Sequence, residues 1–315
     1  MQHIFIINPH AGKKDQTGRI YEMADRLRQH GLTCQCLLTQ RSGGAEEIAR
    51  RLVSSGEEVR LYACGGDGTL NEVVNGAAGF DNAAVTCIPI GTGNDFLKNF
   101  GPDAAKFTDA ENLWDGEVHP LDLIDCNGRQ CLIKKLVADK TERSIDARVA
   151  ESVHELGDSP FLSGRGSYLA AVAVNFLFRG IGQHWRVTLD DEVIEDDFAL
   201  VSMCNGRYYG GGSTPVPEAR MDDGVLHTVL VKNISRMKFA GLFSAYSAGR
   251  YRSLPPEVIR VVTAKNVRIQ SEDDIVTCLD GETIHSRDVR LTLSEKRLNF
   301  FGPKGCDPNY GAGPK

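Results

Sequence analysis

The chain has 315 residues, 41% of them hydrophobic and 25% charged, which is enough apolar material for a sizeable core and a length that suits two domains. Its formal net charge of −6 excludes a broadly basic nucleic-acid surface and any general attraction to anionic lipid, so membrane contact has to be local. The nine cysteines, at 34, 36, 64, 87, 126, 131, 204, 278 and 306, form no CxxC pair and read as reduced, mostly buried thiols of a cytosolic protein.

Residues 1–8 are too short and lack the basic flank of a signal peptide, and the longest apolar stretch, 168–178, is interrupted by Asn175 and too short to span a bilayer. In chain order, residues 4–7 read as a buried strand and 18–30 as a helix with apolar spacing at Ile20, Met23, Ala24 and Leu27. Strand 34–38, helix 45–54, strand 59–64, helix 70–78 and strand 84–89 continue the alternation. This is the pattern of a parallel sheet covered by helices, an α/β class that binds ligands at the carboxyl ends of its strands. Beyond about residue 123, short β-rich runs at 185–189, 198–203, 226–231, 258–262, 267–270, 275–279 and 289–293 predict an antiparallel domain of sandwich or flattened-barrel type. Helical stretches at 167–178 and 235–251 interrupt it. There is no internal repeat, and the Gly/Pro-rich tail 302–315 reads as loose.

Gly65-Gly66-Asp67-Gly68-Thr69 falls between a strand and a helix. Glycines let the backbone approach an anion, and the helix start offers unpaired N–H groups, so the loop reads either as a phosphate-binding turn or as a plain chain reversal. Asp67 sits where a metal-bridging or activating carboxylate is useful. Asn8-Pro9-His10-Ala11-Gly12-Lys13-Lys14 follows the first strand, Thr39 closes the second, and Gly91-Thr92-Gly93-Asn94-Asp95 follows the strand 84–89. Each alone is a commonplace turn, whereas four on successive strand ends converge on one crevice. Lys13 and Lys14 either neutralise phosphate or are solvated, and no Gly-x-x-x-x-Gly-Lys-Ser/Thr occurs, which excludes a P-loop.

The run GGDGTLNEVVNG at 65–76, with residues 8–12 and 91–95, resembles the diacylglycerol kinase catalytic-domain family, which includes soluble bacterial lipid kinases and the eukaryotic diacylglycerol, sphingosine and ceramide kinases. The likeness continues in order through Leu121-Asp122, Asn205-Gly206-Arg207-Tyr208-Tyr209-Gly210-Gly211-Gly212, residues 215–226 and Leu279-Asp280-Gly281-Glu282. It implies an N-terminal ATP-binding α/β domain of NAD-kinase and phosphofructokinase type over 1–123, with about 297–315 packing back on it. An antiparallel β-sandwich domain over 124–296 carries the lipid-acceptor site and a structural metal. It assigns ATP to Asn8, Pro9, His10, Ala11, Gly12, Thr39, Gly65, Gly66, Asp67, Gly68, Thr69, Leu70, Asn71 and Thr92, with Mg²⁺ spreading the charge that develops during transfer. It implies a structural Mg²⁺ on the Asp223 carboxylate and the carbonyls of Arg220 and Val225, where the residues by themselves read as an acidic β-turn. Glu282 is implied as proton acceptor for the substrate hydroxyl, with Asp280 sharing that role or holding a metal or water; read alone, Asp280-Gly281 is a hairpin turn. Asp67 is the rival for the base.

One stretch departs from the family. Alignment on Asp146-Ala147 puts Asp139, Glu142 and Ser144 where relatives carry Asn, a small residue and Gly, and the charged run 134–144 replaces an expected apolar strand, as a local insertion or rearrangement. Phe161-Leu162, residues 176–178 and Leu242-Phe243 line an acyl groove or belong to the core, and Arg207, Arg250 and Arg252 steer the chain to anionic headgroups or are solvated. The expected activity is ATP- and Mg²⁺-dependent phosphorylation of diacylglycerol to phosphatidic acid on the cytoplasmic face of the inner membrane, with ATP and a membrane lipid as partners, peripheral membrane contact, no nucleic acid, and a homodimer as the oligomer to test. The alternatives are a kinase for a sphingoid base, ceramide or a phosphatidylglycerol-like lipid, an NAD kinase, and a catalytically silent lipid- or nucleotide-binding homologue.

Overall fold

The computed structural model describes residues 1–132, 134–138, 183–208, 212–279 and 282–312. In chain order the elements are β1 (Gln2–Ile7), α1 (Thr17–Gln29), β2 (Thr33–Leu38), α2 (Gly44–Val53), β3 (Val59–Gly65), α3 (Asp67–Ala77), β4 (Ala83–Pro89), β5 (Glu117–Leu121), β6 (Ile124–Cys126), β7 (Arg129–Cys131) and β8 (Lys134–Ala138). There follow β9 (Gln183–Leu189), β10 (Glu192–Cys204), β11 (Leu226–Lys232), α4 (Arg236–Ser247), β12 (Ile259–Ala264), β13 (Asn266–Leu279), β14 (Glu282–Leu293) and β15 (Leu298–Gly302).

The first compact unit comprises Met1–Leu123, Arg129–Leu132 and Ser294–Gly311. Its sheet runs β2-β1-β3-β4-β15-β5, parallel throughout except for β5, which pairs antiparallel with β15. The central strands are nearly continuous apolar runs because helices cover a parallel sheet on both faces, and Ile4, Phe5, Ile6 and Ile7 are fully buried. In α1, Ile20, Met23, Ala24 and Leu27 are the buried residues, so the apolar spacing in the sequence marks the face that packs. Up to residue 312 the tail does not hang loose. Phe300 joins an aromatic cluster with Phe96, Phe100 and Phe107, Phe301 meets Tyr62 edge-on at 5.2 Å, and Cys306 and Asn309 are buried. Its Gly/Pro content shapes turns rather than leaving the segment unpacked.

The second unit comprises Ile124–Gly128, Ile133–Leu293 and Ala312–Lys315. Its antiparallel sheet runs β12-β11-β10-β8-β13-β14-β6, and β9 also pairs with β10 and β13. Thus β8 and β9 share one slot end to end: β10 pairs with β9 up to Phe198 and with β8 from Leu200, and β13 pairs with β9 up to Gln270 and with β8 from Val276. Both long strands shift register near this switch, at Phe198/Leu200 and at Gln270/Ile275, as a bulge allows. The runs 267–270 and 275–279 are therefore one strand rather than two, because Ser271-Glu272-Asp273-Asp274 is a break in register and not a turn.

Within the charged run 134–144, residues Lys134–Ala138 are not an insertion; they form the strand β8 between β10 and β13, held by backbone pairing that is indifferent to side-chain charge. Residues 139–144 lie outside the described residues, as do the helix expected at 167–178, Phe161, Leu162 and 176–178. The helix expected over 235–251 is α4, which is shorter, with Gly249 at φ 71 beyond its end. Leu242 on α4 packs against the core around Ala199, Val216, Val229 and Ile259, which assigns it to the core. Arg207 is buried, its guanidinium 5.3 Å from the Tyr208 ring, so neither headgroup steering nor free solvation describes it. Among the described residues no helix is long and apolar enough to cross a membrane.

Candidate functional site

From β1 the chain moves out to β2, then returns to the other side of β1 to form β3 and goes on to β4. The order reverses beside β1, and loops leaving its carboxyl end and that of β3 part to leave a crevice. A cleft of about 570 Å³ opens there, lined by Asn8, His10, Ala11, Gly12, Thr39, Arg41, Ser42, Ala45, Gly66, Asp67, Gly68, Thr69, Glu72, Gly91, Thr92 and Gly93. All four strand-end loops singled out in the sequence contribute to it.

The loops meet backbone to backbone. A Cβ on Gly91 would stand 2.5 Å from Gly66 Cα, and Gly12, at φ 79, would put one 2.3 Å from the Ile90 carbonyl oxygen. Only glycine permits either approach. Asn8 ties the first loop to the third, its Nδ2 donating to Thr69 Oγ1 at 3.2 Å while its Oδ1 accepts the His10 N–H at 3.0 Å. The Gly65 carbonyl accepts the N–H groups of Ile90 and Gly91, at 3.0 and 3.1 Å.

Four of the expected nucleotide residues do not line the cleft. Pro9 lies beside it in the first loop and Gly65 ends β3. Leu70 is in the core, and Asn71 is buried in a network in which Asn75 Nδ2 donates to the Asn71 and Gln130 carbonyls, both at 2.9 Å, and Asn75 Oδ1 accepts the Gln130 N–H at 2.8 Å. These residues hold β7 against α3.

Asp67 is not an idle carboxylate. Its Oδ2 accepts the Asp95 N–H at 2.8 Å and its Oδ1 the Phe96 N–H at 3.3 Å, which anchors the helical stretch Phe96–Thr108 to the glycine loop. The carboxylate expected here as metal-bridging or activating is thus engaged by two backbone donors. Behind it, burial and then the Asp67 charge push the Cys87 thiol well above its ordinary range, so that cysteine is inert.

Two helices start on the cleft. The first, α3, follows Gly66 and carries Gly68 in its first turn, so no Cβ stands at those two positions. The N-terminus of α2 is closed: Glu72 Oε1 accepts the Gly43 N–H and Oε2 the Ala45 N–H, both at 3.0 Å. Sequence reading missed Arg41, Ser42 and Glu72. Arg41 and Ser42 follow Thr39 at a strand end, which was a usable signal, but Glu72 had none, because the amides it caps belong to another helix. The Arg41 guanidinium is paired with Glu47 at 2.5 Å.

In the second unit, Arg220, Asp223 and Val225 precede β11. Val225 N–H donates to Asp223 Oδ1 at 3.2 Å, Arg220 Nε donates to Asp222 Oδ1 at 3.1 Å, and Asp223 Oδ2 lies 3.9 Å from His227 Nε2. Among the described residues no three His, Cys, Asp or Glu side chains gather as a metal cage, so a cation here would rest on one carboxylate with carbonyls and water, a donor set that suits a hard ion. Glu282 opens β14 opposite Leu279, and Asp280 lies outside the described residues.

Comparison with known proteins adds the following. Residues 2–126 match the family described as the diacylglycerol kinase catalytic domain, and residues 141–301 match the YegS C-terminal NAD kinase beta sandwich-like domain. The chain is 26% identical over 304 residues to "Probable lipid kinase YegS-like" of Xanthomonas oryzae pv. oryzae (strain MAFF 311018), covering 94% of this chain and 95% of that one. It is 28% identical over 299 residues to the protein of the same name from Pseudomonas aeruginosa PAO1, covering 93% of each. A solved diacylglycerol kinase from Bacillus anthracis str. Sterne shares its fold at 22% identity with a TM-score of 0.66 over 96% of each chain. A second chain from that organism reaches a TM-score of 0.74 at 24% identity, covering 96% of this chain and 97% of that one.

Proposed function

Because this chain belongs to the lipid kinase family that joins a diacylglycerol kinase catalytic domain to a YegS-type C-terminal domain, we propose that it moves the γ-phosphoryl group of ATP onto diacylglycerol to give phosphatidic acid. The observation that supports nucleotide binding most directly is the cleft in which the start of α3, with Gly66 and Gly68, meets the glycine loops 8–12 and 91–93. Backbone N–H groups there suit a triphosphate, whose charge is spread over oxygens rather than concentrated at one atom.

In the reaction the lipid hydroxyl oxygen bonds to the γ-phosphorus, the bond from that phosphorus to the bridging oxygen breaks, and ADP leaves with the electron pair. The hydroxyl proton passes to Glu282, with Asp280, two residues earlier in the chain, sharing the role or holding a metal or water. Asp67, engaged by two backbone N–H groups, acts by shaping the phosphate loop, which favours Glu282 over it as the base. Mg²⁺ bound with the triphosphate supplies countercharge for the transferring group. The Asp223 carboxylate and the Arg220 and Val225 carbonyls would hold a second Mg²⁺, which would brace the turn before β11, and adding Mg²⁺ is expected to raise Tm in the native chain but not in Asp223→Asn. The lipid is met by peripheral contact at the cytoplasmic membrane face, since a diacylglycerol hydroxyl stays at the bilayer surface.

The test is transfer of label from γ-labelled ATP to diacylglycerol, sphingosine, ceramide and phosphatidylglycerol in mixed micelles, with NAD as a soluble acceptor. Labelled phosphatidic acid is the expected product. Label appearing only in another lipid redirects the acceptor, label in NAD overturns the lipid kinase reading, and label nowhere supports a silent homologue.

A further inference from the structure

The turn that leads into β11 faces a side chain outside the set of Asp223 and the Arg220 and Val225 carbonyls. His227, the second residue of β11, is 9% exposed, and among the described residues its Nε2 has no hydrogen-bond partner. A buried ring nitrogen left in that way is costly to the fold. It points at Asp223 Oδ2 from 3.9 Å, which is too far for a hydrogen bond. Two donors held by one cation at about 2.1 Å each stand between about 3 and 4.2 Å apart, so a single shared ion spans this gap. The local chain sets the geometry. Gly224, at φ 71, folds the backbone so that the Val225 N–H donates to the other carboxylate oxygen, Oδ1, at 3.2 Å, and the Arg220 guanidinium goes to Asp222.

We propose that His227 is a further ligand of the cation at Asp223, and that its imidazole makes this site select Mn²⁺ over Mg²⁺. The proposal rests on the reading of this turn as a metal site. One carboxylate with carbonyls and water suits Mg²⁺, a hard ion that takes oxygen donors, whereas an imidazole nitrogen is a donor that a first-row transition ion accepts more readily. Among the described residues no third His, Cys, Asp or Glu joins the pair, so the remaining donors are carbonyls and water. Such a mixed and mostly oxygen set suits Mn²⁺ better than the closed cage of nitrogen and sulfur donors that holds structural zinc.

The test uses the full chain without nucleotide. Calorimetry and the rise in Tm give the affinities for Mn²⁺ and Mg²⁺, and pulsed electron paramagnetic resonance of the Mn²⁺-loaded chain reads coupling to a directly bound nitrogen nucleus. The native chain is expected to bind Mn²⁺ about tenfold or more tighter than Mg²⁺ and to show that coupling. His227→Gln should bring the two affinities together and abolish the coupling, while Mg²⁺ still raises Tm. A histidine that only packs beside the turn would, on substitution, lower stability and leave the ratio of the two affinities unmoved, which overturns the proposal. Should His227→Gln fail to fold, the native spectrum decides by itself, since Mn²⁺ bound without nitrogen coupling overturns the proposal. Nitrogen-coupled Mn²⁺ that survives in Asp223→Asn lies elsewhere and overturns it as well. A native chain that binds Mg²⁺ as tightly as Mn²⁺ overturns the proposal alone, whereas one that binds neither ion overturns the metal reading of the turn and the proposal with it.

Discussion

The two units spend their polar groups differently. In the first, the parallel strands all end on one side, so four loops meet and hold one another through backbone contacts as close as Gly91 against Gly66. In the second, strands alternate in direction and the polar contacts are made by single side chains: the turn at Asp223, the Asp190 carboxylate on the Lys265 and Asn266 N–H groups, and the Arg260 pair with Glu192. A parallel sheet thus gathers amides that grip a diffuse anion, whereas an antiparallel one must act through individual side chains.

The comparison breaks most visibly at Glu282. Glu282→Gln should lower kcat by on the order of 10²–10⁴ with ATP affinity little changed, and near-normal turnover would return the base to the first unit. Gly91→Val should cost about 3 kcal/mol by forcing the loop away from Gly66, with ATP affinity lost in parallel; a thermal melt and a binding isotherm that both match the native chain would show that the loops are not held by contact. Asp67→Ala leaves the Asp95 and Phe96 N–H groups without that acceptor and should cost about 1–3 kcal/mol, read by denaturant unfolding, so any loss of activity must be corrected for loss of fold.

The most gradual effect is a pH slope in the first unit. Burial, and then Arg60, push His3 down to about 4 from an ordinary value of 6.5. Between those values the unfolded chain binds the proton and the folded chain does not, so stability falls as pH drops through this window, by at most about 1.4 kcal/mol per pH unit. His3→Gln should flatten the slope between pH 6.5 and 4; an unchanged slope assigns the effect elsewhere.

The order of strands and helices in the first unit was legible because each element has a clean period: continuous apolar runs for the sheet, and apolar residues three and four apart in α1. Chain order also exposed the strand-end loops, since glycine clusters at the ends of apolar runs are a local signal. In the second unit local signals misled. Strand β13 read as two strands because its charged middle resembles a turn, and β8 was hidden by lysines that backbone pairing tolerates. Only the tertiary structure decided that Asp67 is held by the amides of the next helical stretch, that Leu70 and Asn71 stand behind the cleft, and that Glu72 closes the helix beside its own. Periodicity and turn chemistry are properties of neighbours in the chain. The use of a carboxylate is set by which donors folding brings to it, and those lie 28 residues away for Asp67 and 29 for Glu72.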